Sequence, residues 1–294
     1  MTEQPNADKV RGYVDAGGLR TYYEAEGTGE PLLVLHGGFC TVETFGGLTP
    51  TLAERHRVYS PERRGHGRTP DVDGPITYEI MARDTIAFME AVHSGPAHLF
   101  GWSDGANVAL ITALYRPDLV RKLVLMGTAV NISGGTEFAQ ASIGHLTVDM
   151  LPPMLREAYE AVSPDGPEHF AVVVEKLAPA IAVTTTELSD LERITAPTLV
   201  IVADNDMVTI EHAAAMQRAL PDSQLAVVPG TSHALPLEKP DLVLRLILDF
   251  LARASPPSSV DQGDIAVVRS LNRGNMPLID GTGSAFTRLC WRRV

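Results

Sequence analysis

The pentapeptide Gly101-Trp102-Ser103-Asp104-Gly105 fits the pattern G-x-S-x-G. It follows the run His98-Leu99-Phe100, which reads as a strand, and opens residues 105–115, which read as a helix stopped before Pro117. A serine placed there sits on a sharp, strained turn with its hydroxyl projecting from the sheet, and the glycines are needed because flanking side chains would clash. The chemistry this allows is nucleophilic attack on a carbonyl. A serine hydroxyl is a weak nucleophile near neutral pH, so a base must stand beside it and an acid must orient that base. The helix that follows aims its N-terminus at the same spot. Its free N–H groups and positive dipole end can stabilise an oxyanion.

The elements that must position this serine are legible as an alternation. Residues 11–29 read as a β-hairpin around Asp15-Ala16-Gly17-Gly18. Pro31-Leu32-Leu33-Val34-Leu35 is apolar throughout, as suits a central parallel strand covered on both faces, and it ends in His36-Gly37-Gly38. Arg57–Ser60 predicts a strand that leads into Arg64-Gly65-His66-Gly67, and 77–92 carries Ile80, Ile86, Phe88, Met89 and Val92 at helical spacing. Lys122–Met126, Pro197–Val202 and Gln224–Val228 predict three more strands, and 240–253 an amphipathic helix. Strands alternating with helices imply an α/β fold on a parallel sheet, with ligands at the carboxyl ends of the strands. No internal repeat interrupts the pattern.

With this elbow and this alternation, the chain resembles the α/β-hydrolase superfamily over about residues 11–253. Within it, Gly-Trp-Ser-Asp-Gly is similar to the elbow of the biphenyl-hydrolase-like, valacyclovirase-type serine hydrolases. The resemblance implies an α/β-hydrolase fold, with a mostly parallel central sheet and helices on both faces. The core would be 1–129 and 191–254, and 130–190 a small helical lid. It implies the chain order serine, acid, histidine. Asp206, after the strand ending at Val202, matches the family's acid, and His233, after the strand ending at Val228, matches its base. Asp204 is the rival acid and by the family pattern braces the loop. The other place where some relatives carry the acid holds Met126-Gly127-Thr128, without a carboxylate. The backbone N–H groups of Phe39 and Asp104 would form the oxyanion hole. Serine as the nucleophile disfavours relatives that use an aspartate there, such as epoxide hydrolases and haloalkane dehalogenases.

Side chains near these positions carry further expectations. The Asp104 carboxylate would cap the helix start, repel an anionic substrate or bind a substrate amine. Gly38, Trp102, Val208 and Leu235 adjoin the candidate catalytic positions and would line the substrate pocket; Met150, Met154 and Leu155 would face it from the lid. His36 would hold its glycine loop and His66 would be structural, with no second metal ligand at usable spacing. His145, His169 and His212 would be solvated. Arg63 and Arg64 would form a structural ion pair.

Bulk properties narrow the function. The 294 residues are 45% hydrophobic and 20% charged, as in an ordinary soluble globular protein. A formal net charge of -12 argues against nucleic acid or an anionic membrane as partner, since both attract basic surfaces. The two cysteines, Cys40 and Cys290, suggest no disulfide framework. Met1–Val10 lacks the basic start and apolar core of a secretory signal, so the cytoplasm is the expected compartment. No phosphate-cradling motif is present and no cofactor is expected. Residues 255–294 start Ser-Pro-Pro-Ser-Ser, hold five arginines against three aspartates and show no periodicity; they read as a poorly ordered extension. The expected substrate is a small ester or lactone. Cofactor-free haloperoxidase or perhydrolase activity, carbon–carbon hydrolysis and a non-catalytic binding role are the alternatives. Oligomeric state is not legible.

Overall fold

The computed structural model describes residues 9–253, apart from 94, 144 and 183–185. Strands β1 (Val10–Ala16) and β2 (Leu19–Glu26) form the expected hairpin, which turns on Gly17 and Gly18, both at positive φ. The strands that follow are β3 (Glu30–Leu35), β4 (His56–Pro61), β5 (Ala97–Trp102), β6 (Val120–Met126), β7 (Thr198–Asn205) and β8 (Ser223–Ser232). They lie in one eight-stranded sheet in the order β1-β2-β4-β3-β5-β6-β7-β8. From β4 to β8 every pairing is parallel; β2 pairs antiparallel with both β1 and β4.

The helices are α1 (Thr49–Ala53), α2 (Tyr78–Val92), α3 (Asp104–Tyr115), α4 (Glu137–Ile143), α5 (Pro153–Glu160), α6 (Phe170–Ala182), α7 (Ile210–Ala219), α8 (Leu235–Glu238) and α9 (Pro240–Ala252). Period-2 geometry sorts the apolar strand residues onto two faces. Leu33, Leu35, Leu123, Leu125, Val200 and Val202 belong to the core layer shared with α2, α3 and α7. Leu32, Val34, Val124, Leu199 and Ile201 belong to the layer shared with α1 and α9. Helix α2 starts where the Thr77 hydroxyl accepts from the Ile80 N–H at 3.2 Å, satisfying an orphan donor of the first turn. Its buried Met81, Ala82, Thr85, Phe88 and Met89 recur at helical spacing and face the sheet.

The chain leaves β3 for β4 on one side and then crosses to β5 on the other. That reversal opens a crevice at the carboxyl ends of β3 and β5, the place where such sheets bind ligands.

Between β6 and β7 lie α4, α5, α6 and several short 3-10 turns. Asp71, in the loop before α2, ties this insertion down. Its carboxylate accepts from Lys176 Nζ at 2.6 and 2.7 Å and contacts His169 Nε2 at 2.9 Å. Phe170 packs its ring against Tyr159 at 5.3 Å and against Phe39 at 6.0 Å. Met150 and Met154 do not face a pocket, contrary to the sequence reading. They are 49% and 60% exposed and are not among the residues that line the cleft over Ser103. Leu155 is half-buried and packs against both core layers.

His169 and His212 also differ from the expectation of solvated side chains. His169 pairs with Asp71, and His212 is buried with Nε2 accepting from the Val130 N–H at 3.2 Å. His145 is exposed, as expected. The expectation for 255–294, Cys290 included, lies outside the described residues.

Candidate active site

Ser103 is one of two non-glycine residues at positive φ among those described, at +55°; Phe39, at +61°, is the other. Side chains other than glycine avoid this region, so a surrounding structure must enforce it. Enforcement here is explicit. The Ser103 N–H donates to Met126 O at 2.8 Å, and its carbonyl accepts from Ala106 and Asn107 N–H at 2.9 and 3.2 Å. A Cβ at Gly101 would stand 2.3 Å from Gly105 O, and one at Gly105 would stand 2.1 Å from Leu35 O. Both contacts are with backbone that cannot yield, so the two glycines let α3 press against β3 and β5.

The turns after β7 and β8 bring the other two candidates to this hydroxyl. His233 Nε2 lies 2.9 Å from Ser103 Oγ, and His233 Nδ1 lies 2.6 Å from Asp206 Oδ1. Asp206 is buried. Burial pushes its carboxyl up, but the His233 contact and the Ala203 and Val208 amides, each at 3.3 Å, outweigh it and hold the group below its ordinary value. An ionised carboxylate on Nδ1 fixes the tautomer and leaves Nε2 to accept the serine proton.

Neighbours stiffen this line. Asp204 accepts from the Gly230 and Thr231 amides at 2.8 and 3.1 Å, clamping the loop that carries His233. Trp102 Nε1 donates to His233 O at 3.0 Å, with its ring 5.7 Å from the imidazole. Trp102 is therefore a support beneath the histidine and not a pocket wall. The alternation along β5 sends it into the core layer opposite to the cleft. Leu235 is also corrected: it is fully buried in that same layer at the start of α8. Val208 does line the cleft, whereas Gly38 is packed behind it, where a Cβ would meet Asp104 Oδ2 at 2.3 Å.

The Asp104 side chain makes no cap bond, contrary to one reading of the sequence. Its Oδ1 accepts from Tyr78 Oη at 2.6 Å. Burial raises its carboxyl, opposed by the Tyr78 hydrogen bond and the nearby Arg63 charge. Burial and the adjoining Asp104 carboxylate push the Tyr78 phenol well up in turn.

The cleft over Ser103 and His233 has a volume of about 80 Å³. Its polar end is Tyr78, Asp104 and Asn107. The insertion supplies an apolar wall that the sequence reading missed, formed by Ile132, Ala139, Ile143 and Ile181. No lysine or arginine is among its described lining residues. Among the described residues no group of three or more His, Cys, Asp or Glu is placed to hold a metal ion, and no helix is long and apolar enough to cross a membrane.

A strained serine between β5 and α3, facing a histidine after the last strand of a mostly parallel sheet, defines a hydrolase architecture. The chain belongs to the alpha/beta hydrolase family, whose model matches residues 32–246. It is similar to 2-hydroxy-6-oxo-6-(2'-aminophenyl)hexa-2,4-dienoic acid hydrolase of Metapseudomonas resinovorans, with 25% identity over 86% of this chain and 94% of the relative. It is similar to human serine hydrolase BPHL, with 29% identity over 81% of this chain and 85% of that one. Among solved structures it shares its fold with the meta-cleavage product hydrolase of Pseudomonas fluorescens IP01, at TM-score 0.71 and 24% identity, covering 81% of this chain and 96% of the other. It is an enzyme of the hydrolase type.

Proposed function

We propose that this hydrolase cleaves a carboxylic ester, lactone or related acyl bond of a small molecule by two-step acyl transfer. His233 takes the proton from Ser103 Oγ as the oxygen attacks the carbonyl carbon. The oxyanion is held by the Asp104 amide and by the loop at Phe39, and Asp206 keeps the imidazole in register. The leaving alcohol departs with the proton from His233, and water then releases the acyl group by the same route. The observation that carries this reading is the unbroken line Asp206–His233–Ser103, at 2.6 and 2.9 Å, ending on a strained serine.

The residues 130–190 act in this reading as a lid whose apolar wall receives the acyl chain, and the small cleft favours a small acyl group. Charge separates the reading from carbon–carbon hydrolysis of a dienoic acid, the activity in one relative's name. A substrate carboxylate would enter a cleft that offers no lysine or arginine among its described lining residues and already holds the Asp104 carboxylate. An uncharged or cationic ester meets no such penalty.

The deciding experiment is intact-mass analysis after fluorophosphonate treatment of the wild type and of Ser103→Ala, followed by ester and lactone hydrolysis without peroxide. One adduct on the wild type, none on the variant, and hydrolysis without peroxide are expected. A folded wild type that takes no adduct would overturn the reading.

A further inference from the structure

Arg63 and Arg64 leave β4 together but part at once. Arg64 makes the expected ion pair, with Asp84 of α2 at 2.5 and 2.7 Å. Arg63 instead turns inward, 4% exposed, and spends its guanidinium on backbone: Nη1 donates to His36 O and Nη2 to Gly37 O at 3.0 Å. The Arg63 N–H donates to His36 Nε2 at 3.3 Å, while His36 Nδ1 lies 2.8 Å from Gly37 O. That pattern requires a neutral imidazole with its proton on Nδ1. The Cys40 N–H closes the turn on the same Gly37 carbonyl at 3.4 Å.

This turn supplies one wall of the oxyanion hole, so the direction of its peptides decides what the oxyanion meets. In a trans peptide C=O and N–H point to opposite sides. Holding the His36 and Gly37 carbonyls toward Arg63 therefore turns the Gly37 and Gly38 amides away from it. The Gly37–Gly38 peptide lies between two residues that tolerate either sign of φ, so without a clamp it flips at little cost. A flip there would swing the peptide that follows it, whose Phe39 N–H is the donor this loop offers to the developing negative charge.

We propose that Arg63 is a positioning residue of the oxyanion loop, locking the peptides after His36 and Gly37 so that the next peptide keeps its Phe39 N–H aimed at the reacting oxygen. The inference rests on the serine hydrolase reading. Its effect belongs to the transition state, because the oxyanion exists only there.

The test is steady-state hydrolysis of p-nitrophenyl acetate by Arg63→Lys and Arg63→Ala. Loss of one hole donor costs about 100–1000-fold. A drop in kcat of about 10–1000-fold, with KM within about threefold, is expected. Guanidinium ion added to Arg63→Ala should restore part of kcat where methylammonium at equal ionic strength does not. Where Arg63→Ala fails to fold, the double variant Arg63→Met/Asp104→Asn removes both buried charges and is compared with Asp104→Asn alone; the same fall in kcat is expected. Full kcat in the Arg63 variants, or a fall in kcat shared equally by Asp104→Asn alone, would overturn the inference while leaving the hydrolase reading intact. A wild type inert to fluorophosphonate would overturn both.

Discussion

Asp206 and Asp204 sit two residues apart and contact the same loop through different bonds. Asp206 meets the imidazole, whereas Asp204 meets the amides of Gly230 and Thr231. Their substitutions should separate accordingly. Asp206→Asn leaves the geometry but permits the wrong histidine tautomer, so kcat should fall by roughly 10⁴-fold with little change in KM. Asp204→Asn keeps one acceptor oxygen for the loop, and kcat should stay within about tenfold while the melting temperature falls slightly. Ester kinetics and thermal melts on the pair check this, and equal losses of kcat would refute the division of roles. At this scale the sequence was informative where the chemistry is local. The elbow demands glycines two residues either side of Ser103, and that demand is written in five consecutive letters. The Arg63 clamp was not legible, because its partners lie 26 and 27 positions away and nothing local distinguishes Arg63 from Arg64. Trp102 and Leu235 were misjudged for a related reason: adjacency to a catalytic residue says nothing about which face of the sheet a side chain takes.

Among the contacts that hold the insertion between β6 and β7 to the core are a polar clasp and an aromatic pair. Asp71 gathers Lys176 and His169, and Phe170 meets Phe39 of the proposed oxyanion loop. Asn at this position keeps one acceptor oxygen but no charge, leaving a largely buried ammonium on neutral acceptors alone, that amide oxygen and Val72 O at 2.7 Å. Asp71→Asn should therefore destabilise the insertion by roughly 1–3 kcal/mol. It should speed limited proteolysis within 130–190, with KM rising more than kcat falls. Cleavage rates equal to those of the wild type would show that the clasp is not what holds these helices. The strand–helix rhythm of the sequence stops after β6 and resumes at β7, which is why 130–190 reads as an insertion. Its inner wall was not legible. Its helices are short, α6 contains Pro179, and side chains such as Ile132 and Ile181 reach the cleft only through the tertiary fold.

Five of the buried or half-buried imidazoles share one electrostatic feature that governs the whole molecule. Burial lowers His36, His56, His66, His98 and His212 below the ordinary value of 6.5, with His36 well below it and His66 at about 3. Unfolded, these groups take up protons as the pH falls through 6.5; folded, they do so only at lower pH. Protonation then favours the unfolded chain, so stability is full above about pH 7 and declines below 6.5, by up to about 1.4 kcal/mol per pH unit for each group. Glu62 works the other way. Burial raises it to about 7, so its unfolded form ionises first as the pH rises from 4.5. Asp104, also raised by burial, acts with Glu62, and two carboxyls against five imidazoles leave the sign with the histidines. Thermal melts should be flat above pH 7 and fall steeply between pH 6.5 and 4.5, and His66→Phe should flatten that fall. A Tm that rises on acidification would refute the account.

The backbone at Ser103, with φ +55° and ψ -123°, costs about 1–3 kcal/mol for a residue with a Cβ and little for glycine. Ser103→Gly should therefore melt a few degrees above the wild type, while every wall of the cleft stays in place. Such a chain would still grip its cargo but have no means of breaking it. Incubated with a cell extract, washed and denatured, it would act as bait, and whatever small molecule it released could be weighed and named.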